Sequence, residues 1–220
     1  MRVPLYITLL IVLIIGGCST PKPLISPISD VLIFPIEATI GIVDKGNKFE
    51  ADSALSNKNG KELSQLIPTF IPAETKYSHY NITPGEIEEF KNAYQHVVKI
   101  AEKQETSIKI ITAPKFLLDI LEKQNKTFGL CILSSGFIRS QSNLANQQLR
   151  SAALYFGSLG TYQSKPYKSA SGLLGFIVDR NSKKIKFYSR VIWKDKDPTD
   201  TIVLKRQAER LIQKCFKLKV

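Results

Sequence analysis

The chain contains few of the residues that build catalytic and metal sites. Its 220 residues include two histidines, three cysteines, one methionine and one tryptophan. It has no CxxC, HExxH or GxSxG motif, no P-loop and no dinucleotide-binding glycine pattern. His96 is expected on a helix and His79 in a surface loop. The sequence therefore predicts no catalytic residue, no metal site and no cofactor, and we do not expect an enzyme.

Long apolar runs are also missing, except at the start of the chain. Residues 3–15 are interrupted only by Pro4 and Thr8. A helix of this length reaches roughly 20 Å, which is short of the roughly 30 Å hydrocarbon core of a bilayer. Because Arg2 precedes the run and small residues follow it, the pattern is typical of a secretory signal peptide and not of a membrane span.

The run ends at Ile15-Gly16-Gly17-Cys18, which resembles the lipobox of bacterial lipoproteins. The resemblance implies signal cleavage between Gly17 and Cys18 and attachment of lipid, including palmitate, to Cys18. Several acyl chains hold a protein on a membrane far more firmly than one. Ser19 follows the cysteine without an acidic cluster, which implies the outer membrane and a periplasmic orientation. The alternative is an ordinary signal peptide that contains a cysteine. The expected division of the chain is a removed signal peptide, a lipidated flexible tether and one globular domain, at residues 1–17, 18–30 and 31–220.

Acidic residues are scarce in the second part of the chain. Residues 1–125 contain 13 Lys/Arg and 14 Asp/Glu, whereas residues 126–220 contain 18 and 5. A surface formed by this basic second part would attract anions, most strongly at low salt. The export signal places the protein away from nucleic acid, so we do not expect nucleic acid as the partner. We expect an anionic envelope polymer, acidic lipid or an envelope protein. The alternative is a basic surface that is solvated and binds no partner. The predicted anion-binding residues are Lys183, Lys184, Lys186, Arg190, Lys205, Arg206 and Arg210.

Two cysteines remain once Cys18 is assigned to lipid. The periplasm permits a disulfide between Cys131 and Cys215. Each lies in an apolar stretch, however, where a buried free thiol is the commoner state.

Apolar periodicity and capping residues predict the main helices. Thr83-Pro84-Gly85-Glu86 has the form of a capping box with proline at the first helical position, and it predicts a helix from residue 83 to about residue 104. A second helix is predicted to open at Pro114. A last helix is predicted with Asp197 as N-cap and Pro198 at its first position.

Short β-branched and aromatic runs predict the strands, at residues 31–37, 107–112 and 128–138 and in a hairpin of residues 171–179 and 184–193. In the second hairpin strand, Ile185, Phe187, Val191 and Trp193 are expected on one apolar face. Alternating helices and strands favour an α+β (or α/β) fold, with one small mixed sheet on which helices pack.

Two segments are harder to interpret. Within residues 44–82, LSQLIPTF predicts a short helix ending before Pro68, and KYSHYN resembles a loop. Within residues 139–170, an amphipathic helix is expected to precede a loop-like stretch, and such a long insertion is often functional.

The order of elements is similar to that of a superfamily of bacterial envelope lipoproteins. The group includes the curli-secretion channel lipoprotein, the penicillin-binding-protein activator lipoproteins and the amino-terminal domain of TolB. The stretches that carry the resemblance are VLIFPIE, IKIITAP, FGLCILSSG, GLLGFIVDRNSKKIKFYSRVIW and DKDPTD. It implies a sheet with packed helices and a role in recruiting or assembling envelope proteins.

The sequence thus predicts a membrane-anchored envelope lipoprotein with a non-catalytic binding domain, which could act as an assembly or activator factor. The alternatives are an envelope hydrolase with an unrecognised site and a subunit of an oligomeric secretion channel. The oligomeric state and the partner do not follow from the sequence.

Overall fold

The fold is described from a computed structural model, which covers residues 28–103, 111–158, 161 and 165–216. The lipobox, most of the tether and the greater part of the strand expected at residues 107–112 lie outside these residues. The strands are β1 Asp30–Ile33, β2 Glu37–Val43, β3 Phe49–Ala51, β4 Lys76–His79, β5 Phe128–Arg139, β6 Ser169–Asp179 and β7 Lys184–Lys194. The α-helices are α1 Ser53–Leu66, α2 Ile87–Lys103, α3 Lys115–Lys123, α4 Gln141–Gly157 and α5 Thr201–Phe216.

The described strands form one mixed seven-stranded sheet around β5. On one side of β5, its first residues pair in parallel with β1 and its last residues with β2. On the other side it pairs antiparallel with β6, and β6 pairs with β7. The short strands β4 and β3 pair with β1 and β2, respectively. We call the end of the sheet at Phe128 the lower end and the end at Arg139 the upper end.

Helices pack on both faces of the sheet, as the α+β expectation requires. One core contains the apolar faces of α1 and α5, with Leu63 and Leu211 fully buried against the sheet. The other contains the apolar faces of α2 and α3, with Tyr94 and Leu121 buried. Since α2 and α3 contact mainly the lower half of the long strands, the two faces are covered unequally.

The capping box predicted at Thr83 is present, and it begins a 3₁₀ turn at Pro84–Glu86 that leads into α2. The Glu86 carboxylate accepts hydrogen bonds from the Thr83 backbone N–H at 2.9 Å and from the Tyr80 hydroxyl at 2.7 Å. These bonds hold the pKa of Glu86 below its usual range. Further along α2, the buried Tyr94 hydroxyl donates to the Pro35 carbonyl oxygen at 2.8 Å.

Several sequence-based predictions were wrong in position. The strand expected at residues 31–37 is interrupted at residues 34–36, since Pro35 cannot donate to a strand ladder, and pairing resumes at Glu37. The KYSHYN loop contains β4, which pairs with β1 in parallel. The helix expected at LSQLIPTF does end before Pro68, but it begins at Ser53, where Asp52 accepts from the Leu55 N–H at 2.9 Å.

The last helix begins three residues later than predicted. Asp197 accepts a hydrogen bond from the Thr199 N–H in the preceding turn, whereas Asp200 accepts from the Ile202 N–H at 2.8 Å and caps α5. The Asp197–Pro198 pair therefore belongs to a turn, and Asp200 starts the helix.

The hairpin was predicted correctly, but Ile185 lies on the opposite face of the sheet from Phe187, Val191 and Trp193. The register between β6 and β7 shifts after Ile177, so that Phe187 pairs with Ile177 and Ile185 pairs with Val178. One extra residue on β7 reverses the facing of every residue beyond it. Ile185 therefore packs in the α2–α3 core, while Phe187 packs against the α1–α5 core.

No disulfide joins the two described cysteines. Cys131 and Cys215 are both free and buried, and they belong to the cores on opposite faces of the sheet. Burial raises the pKa of both thiols. Within the described residues, none of the helices combines the length and apolar character needed to cross a bilayer.

Candidate functional site

The upper half of the sheet is uncovered on the face that carries α2 and α3. Along β5, the Ser134 side chain is buried on the α1–α5 face, whereas the next residue, Ser135, is exposed. The same contrast occurs on β7, where Val191 is 4% exposed and Ile192 is 57% exposed. No described helix packs on this half of the face.

A shallow apolar groove of about 320 Å³ runs across the uncovered strands. Phe49 and Ile192 stand at its sides, and Phe137 and Ala170 line it together with small residues. A Cβ atom at Gly172 would lie 3.3 Å from Ser135 Oγ and 3.6 Å from Ile192 Cγ1, so the glycine keeps the floor open. A groove with this lining suits an apolar side chain of a partner.

Helix α4 projects from the upper end directly after β5. Its apolar residues Leu149 and Phe156 are 72% and 75% exposed, and Leu154 and Tyr155 are also exposed. The helix expected in this segment is present, but its apolar residues do not pack against the described fold. Exposed apolar residues grouped in this way mark an interaction site.

A polar network holds the first turn of α4 in place. Asn143, which is buried, donates from Nδ2 to the Asp44 carbonyl oxygen at 2.7 Å and accepts from Arg139 Nη1 at 2.7 Å. Ser140 caps the helix by accepting from the Asn143 N–H at 3.2 Å, and its hydroxyl donates to Asp44 Oδ1 at 2.7 Å. The hydrogen bond from Ser140 is the main reason that the pKa of Asp44 is lowered.

The network also connects α4 with the groove. The Arg139 guanidinium lies 5.2 Å from the centre of the Phe137 ring, which lines the groove. We call the groove and the exposed apolar part of α4 together the interaction face; its apolar residues are Phe49, Phe137, Ala170, Ile192, Leu149, Leu154, Tyr155 and Phe156.

A second cleft, of about 350 Å³, lies at the upper end on the α5 side. It brings together Asp195, Asp197 and Asp200 with Lys168 and Arg206. Asp195 accepts a hydrogen bond from the Lys168 N–H, Asp197 from the Thr199 N–H and Asp200 from the Ile202 N–H. Backbone hydrogen bonds therefore explain the three carboxylates, and within the described residues no group of three or more His, Cys, Asp or Glu side chains could hold a metal ion.

The predicted anion-binding residues fall into three groups. Lys183, Lys184 and Lys186 lie at the lower end, and the Lys186 ammonium is 4.6 Å from the centre of the Phe128 ring. Arg190 is exposed on the uncovered half of the sheet. The three basic residues of α5, namely Lys205, Arg206 and Arg210, are exposed along that helix. The lipidation and cleavage residues, Cys18 and Gly17, lie outside the described residues.

Sequence reasoning missed the groove of the interaction face. Its strand residues alternate with buried ones, as on any sheet with a covered face, and they stay open because α2 and α3 pack on the lower half of this face. The exposed surface of α4 had a signal, namely the apolar run AALYFG at residues 152–157.

Comparison with known proteins gives a similar arrangement of elements and no family. No family model matches the chain, and no curated protein matches its sequence. Among solved structures, the PelC dodecamer from Paraburkholderia phytofirmans is 7% identical with a TM-score of 0.39, over 86% of this chain and 87% of that chain. The LpoB C-terminal domain from Salmonella enterica is 9% identical with a TM-score of 0.30, over 78% and 86%. Lipoprotein GNA1162 from Neisseria meningitidis is 10% identical with a TM-score of 0.33, over 85% and 97%. At these identities and TM-scores, the likeness carries no argument about family or function.

Proposed function

We propose that the protein is a lipid-anchored lipoprotein of the cell envelope, whose folded domain binds another envelope protein without catalysis. The anchor is the lipid on Cys18 that the lipobox implies, and the outer membrane, with the domain in the periplasm, is its proposed location. The interaction face is the observation that carries the binding role.

The composition of this face favours a protein as its occupant. Its groove is lined by apolar and small side chains, and α4 adds two aromatic residues, Tyr155 and Phe156. Aromatic residues are enriched at the centres of protein interfaces, and tyrosine is among the residues that contribute most to their energy. Arg190, exposed beside Ile192, would favour a partner with a carboxylate near its apolar anchor.

Site-specific photocrosslinking in intact cells tests the proposal. A photoreactive residue is placed at Ile192 in the groove or at Phe156 on α4, and in a control at Ile202, which is equally exposed but lies on α5 on the other side of the sheet. We expect protein adducts from the first two positions and not from the third. Adducts that form equally at Ile202, or at none of the positions, would contradict the interaction face.

A second candidate is self-association, because one chain carries both a projecting apolar helix and an apolar groove. If α4 of one copy enters the groove of the next, the contact is head-to-tail and produces a ring or a filament. The mass of the crosslinked product decides: an adduct of twice the chain mass supports assembly of identical copies, and a different mass identifies a separate partner.

A further inference from the structure

We propose that the lower end of the domain rests on the anionic phospholipid surface of the membrane, so that the interaction face points away from it. The proposal goes beyond partner binding, and it rests on the proposed anchor at Cys18 for its choice of membrane and for the reach between the lipid and the lower end.

The turn between β6 and β7 presents exposed cations at this end. Lys183 and Lys184 are both exposed. The turn is fixed to the rest of the lower end by the Arg180 N–H, which donates to the Thr127 carbonyl oxygen at 3.0 Å, and by the Ala113 N–H, which donates to the Lys183 carbonyl oxygen at 3.0 Å.

The chain enters the fold at the same end. The Thr75 hydroxyl donates to the Ile28 carbonyl oxygen at 2.9 Å, and the Lys76 N–H donates to the Ser29 carbonyl oxygen at 2.9 Å. Asp30 begins β1 and forms an ion pair of 2.8 Å with Lys126. The nine residues between Cys18 and Ile28 give ten Cα–Cα steps, which span at most about 35 Å. A lipid on Cys18 therefore keeps the lower end within reach of the headgroups.

Cations outnumber carboxylates in the elements that meet at the lower end. Among the residues that strand register and contacts place there, the basic ones are Lys76, Lys126, Arg180, Lys183, Lys184 and Lys186, and the acidic ones are Asp30, Glu74 and Asp179. Among the described residues, Lys126–Asp30 is the one ion pair within 4 Å, and Asp179 bonds the backbone and hydroxyl of its own turn. The two turn lysines have no described carboxylate within that distance, so both are available to lipid phosphates.

This orientation separates the two functional ends of the sheet. Strand β5 runs from the lower to the upper end over 12 residues. At about 3.3 Å per residue, its upper end lies roughly 40 Å above the headgroups. The groove and α4 are thereby presented to proteins in the periplasm.

Vesicle binding of a chain without lipid tests the inference. The chain starts at residue 18 and carries Cys18→Ser; its described core lies within residues 28–216, so removing the signal segment takes nothing from that core. It is sedimented with vesicles of phosphatidylglycerol and phosphatidylcholine in equal parts, with pure phosphatidylcholine vesicles and with insoluble peptidoglycan. We expect binding to the anionic vesicles only, decreasing as salt is raised.

Two double substitutions that remove the same charge from opposite ends of the domain locate the membrane-binding surface. Since each basic residue near an anionic bilayer contributes about a fivefold change in affinity, Lys183→Gln with Lys184→Gln is expected to weaken vesicle binding about 25-fold. The control is Lys45→Gln with Lys48→Gln, which removes the same charge from exposed residues at the upper end, and it is expected to bind like the parent chain. Equal losses in both pairs, binding to phosphatidylcholine alone, or binding to peptidoglycan in place of vesicles would overturn the proposal.

A distance measurement gives a readout that does not depend on charge substitutions. A fluorophore is attached at Ser182→Cys in the lower turn or at Ser142→Cys in α4, while the buried Cys131 and Cys215 stay unlabelled in the folded protein. Energy transfer to headgroup-labelled lipid is expected to be stronger from position 182. Equal or stronger transfer from position 142 would contradict the orientation. Because neither experiment uses the lipid anchor or a protein partner, failure here leaves the proposed function to its own test.

Discussion

Replacing Asn143 by alanine is expected to release α4 while leaving the rest of the domain folded. The side chain forms two hydrogen bonds of 2.7 Å, one to the Asp44 carbonyl oxygen and one from Arg139. A neutral hydrogen bond contributes about 1 kcal/mol and one to a charged group about 2 kcal/mol. Both partners keep other bonds, since Arg139 also donates to the Tyr167 carbonyl oxygen and Asp44 also accepts from the Asn47 N–H. The expected loss is therefore about 2 kcal/mol.

We expect this loss to lower the free energy of local opening of α4 and not that of the whole domain. The helix packs against the described fold mainly where its first turns contact the turn at Lys45–Asn47. Most of the stability of a helix in a protein comes from tertiary packing, which most of α4 lacks. Amide hydrogen exchange within residues 145–157 is therefore expected to accelerate about 30-fold, which corresponds to about 2 kcal/mol. Exchange in the centre of β6, which reports opening of the whole sheet, is expected to change little.

Asn146→Ala is the matched control, since Asn146 lies one turn further along α4 and is exposed. It is expected to leave exchange in α4 unchanged or slightly slower, because alanine favours the helix. If Asn143→Ala and Asn146→Ala accelerate exchange equally, the polar network does not hold α4. If β6 accelerates as much as α4, the helix is part of the cooperative core and not a projecting element.

Three further outcomes follow from the buried and capping groups. Tyr94→Phe removes the hydrogen bond to the Pro35 carbonyl oxygen and is expected to lower the free energy of unfolding in urea by about 1–2 kcal/mol, and an unchanged value would contradict the buried bond. Glu86 has a lowered pKa in the folded state, so the stability it contributes is present above its usual value of 4.5 and disappears as the pH falls through the lowered pKa. Urea titrations of Glu86→Gln and the parent chain are therefore expected to differ at neutral pH and to converge in acid, whereas a difference independent of pH would refute the role of the carboxylate. Finally, Cys131 and Cys215 are expected to resist a thiol reagent in the folded protein and to react together after unfolding without reductant; a need for reductant would mean that they are bonded.

The sequence was most informative where local signals and burial agree. The capping box at Thr83 and the apolar spacing behind it predicted α2, and the apolar run from Phe128 predicted β5. The start signal of α2 and the apolar run of β5 both lie within the element itself. These elements can therefore be assigned without knowing which other elements they pack against.

The misplaced elements depend on neighbours that the local sequence does not show. β4 consists of Lys76–His79, a polar edge strand that exists because β1 lies beside it. The extra residue in β7 that turns Ile185 to the other core depends on its register against β6. At the start of α5, two aspartates have the same capping chemistry, and the fold uses the later one for the helix.

The groove was beyond sequence reasoning for a related reason. Ile192 resembles any outward residue of an amphipathic strand, and it stays uncovered because α2 and α3 pack on the lower half of that face. The basic residues of the second half of the chain were correctly recognised as numerous. Their separation into a lower end, an open face and a helix surface follows from the register of β7 and the course of α5.

The anchor at Cys18 is the central claim, and metabolic labelling with palmitate tests it most directly. The parent chain is expected to incorporate label and to migrate as the processed form, from which residues 1–17 have been removed. Cys18→Ala is expected to accumulate as the unprocessed precursor without label, whereas Cys131→Ala should label like the parent chain, because its thiol is buried in the core. Equal labelling of Cys18→Ala and the parent chain would contradict the lipid anchor.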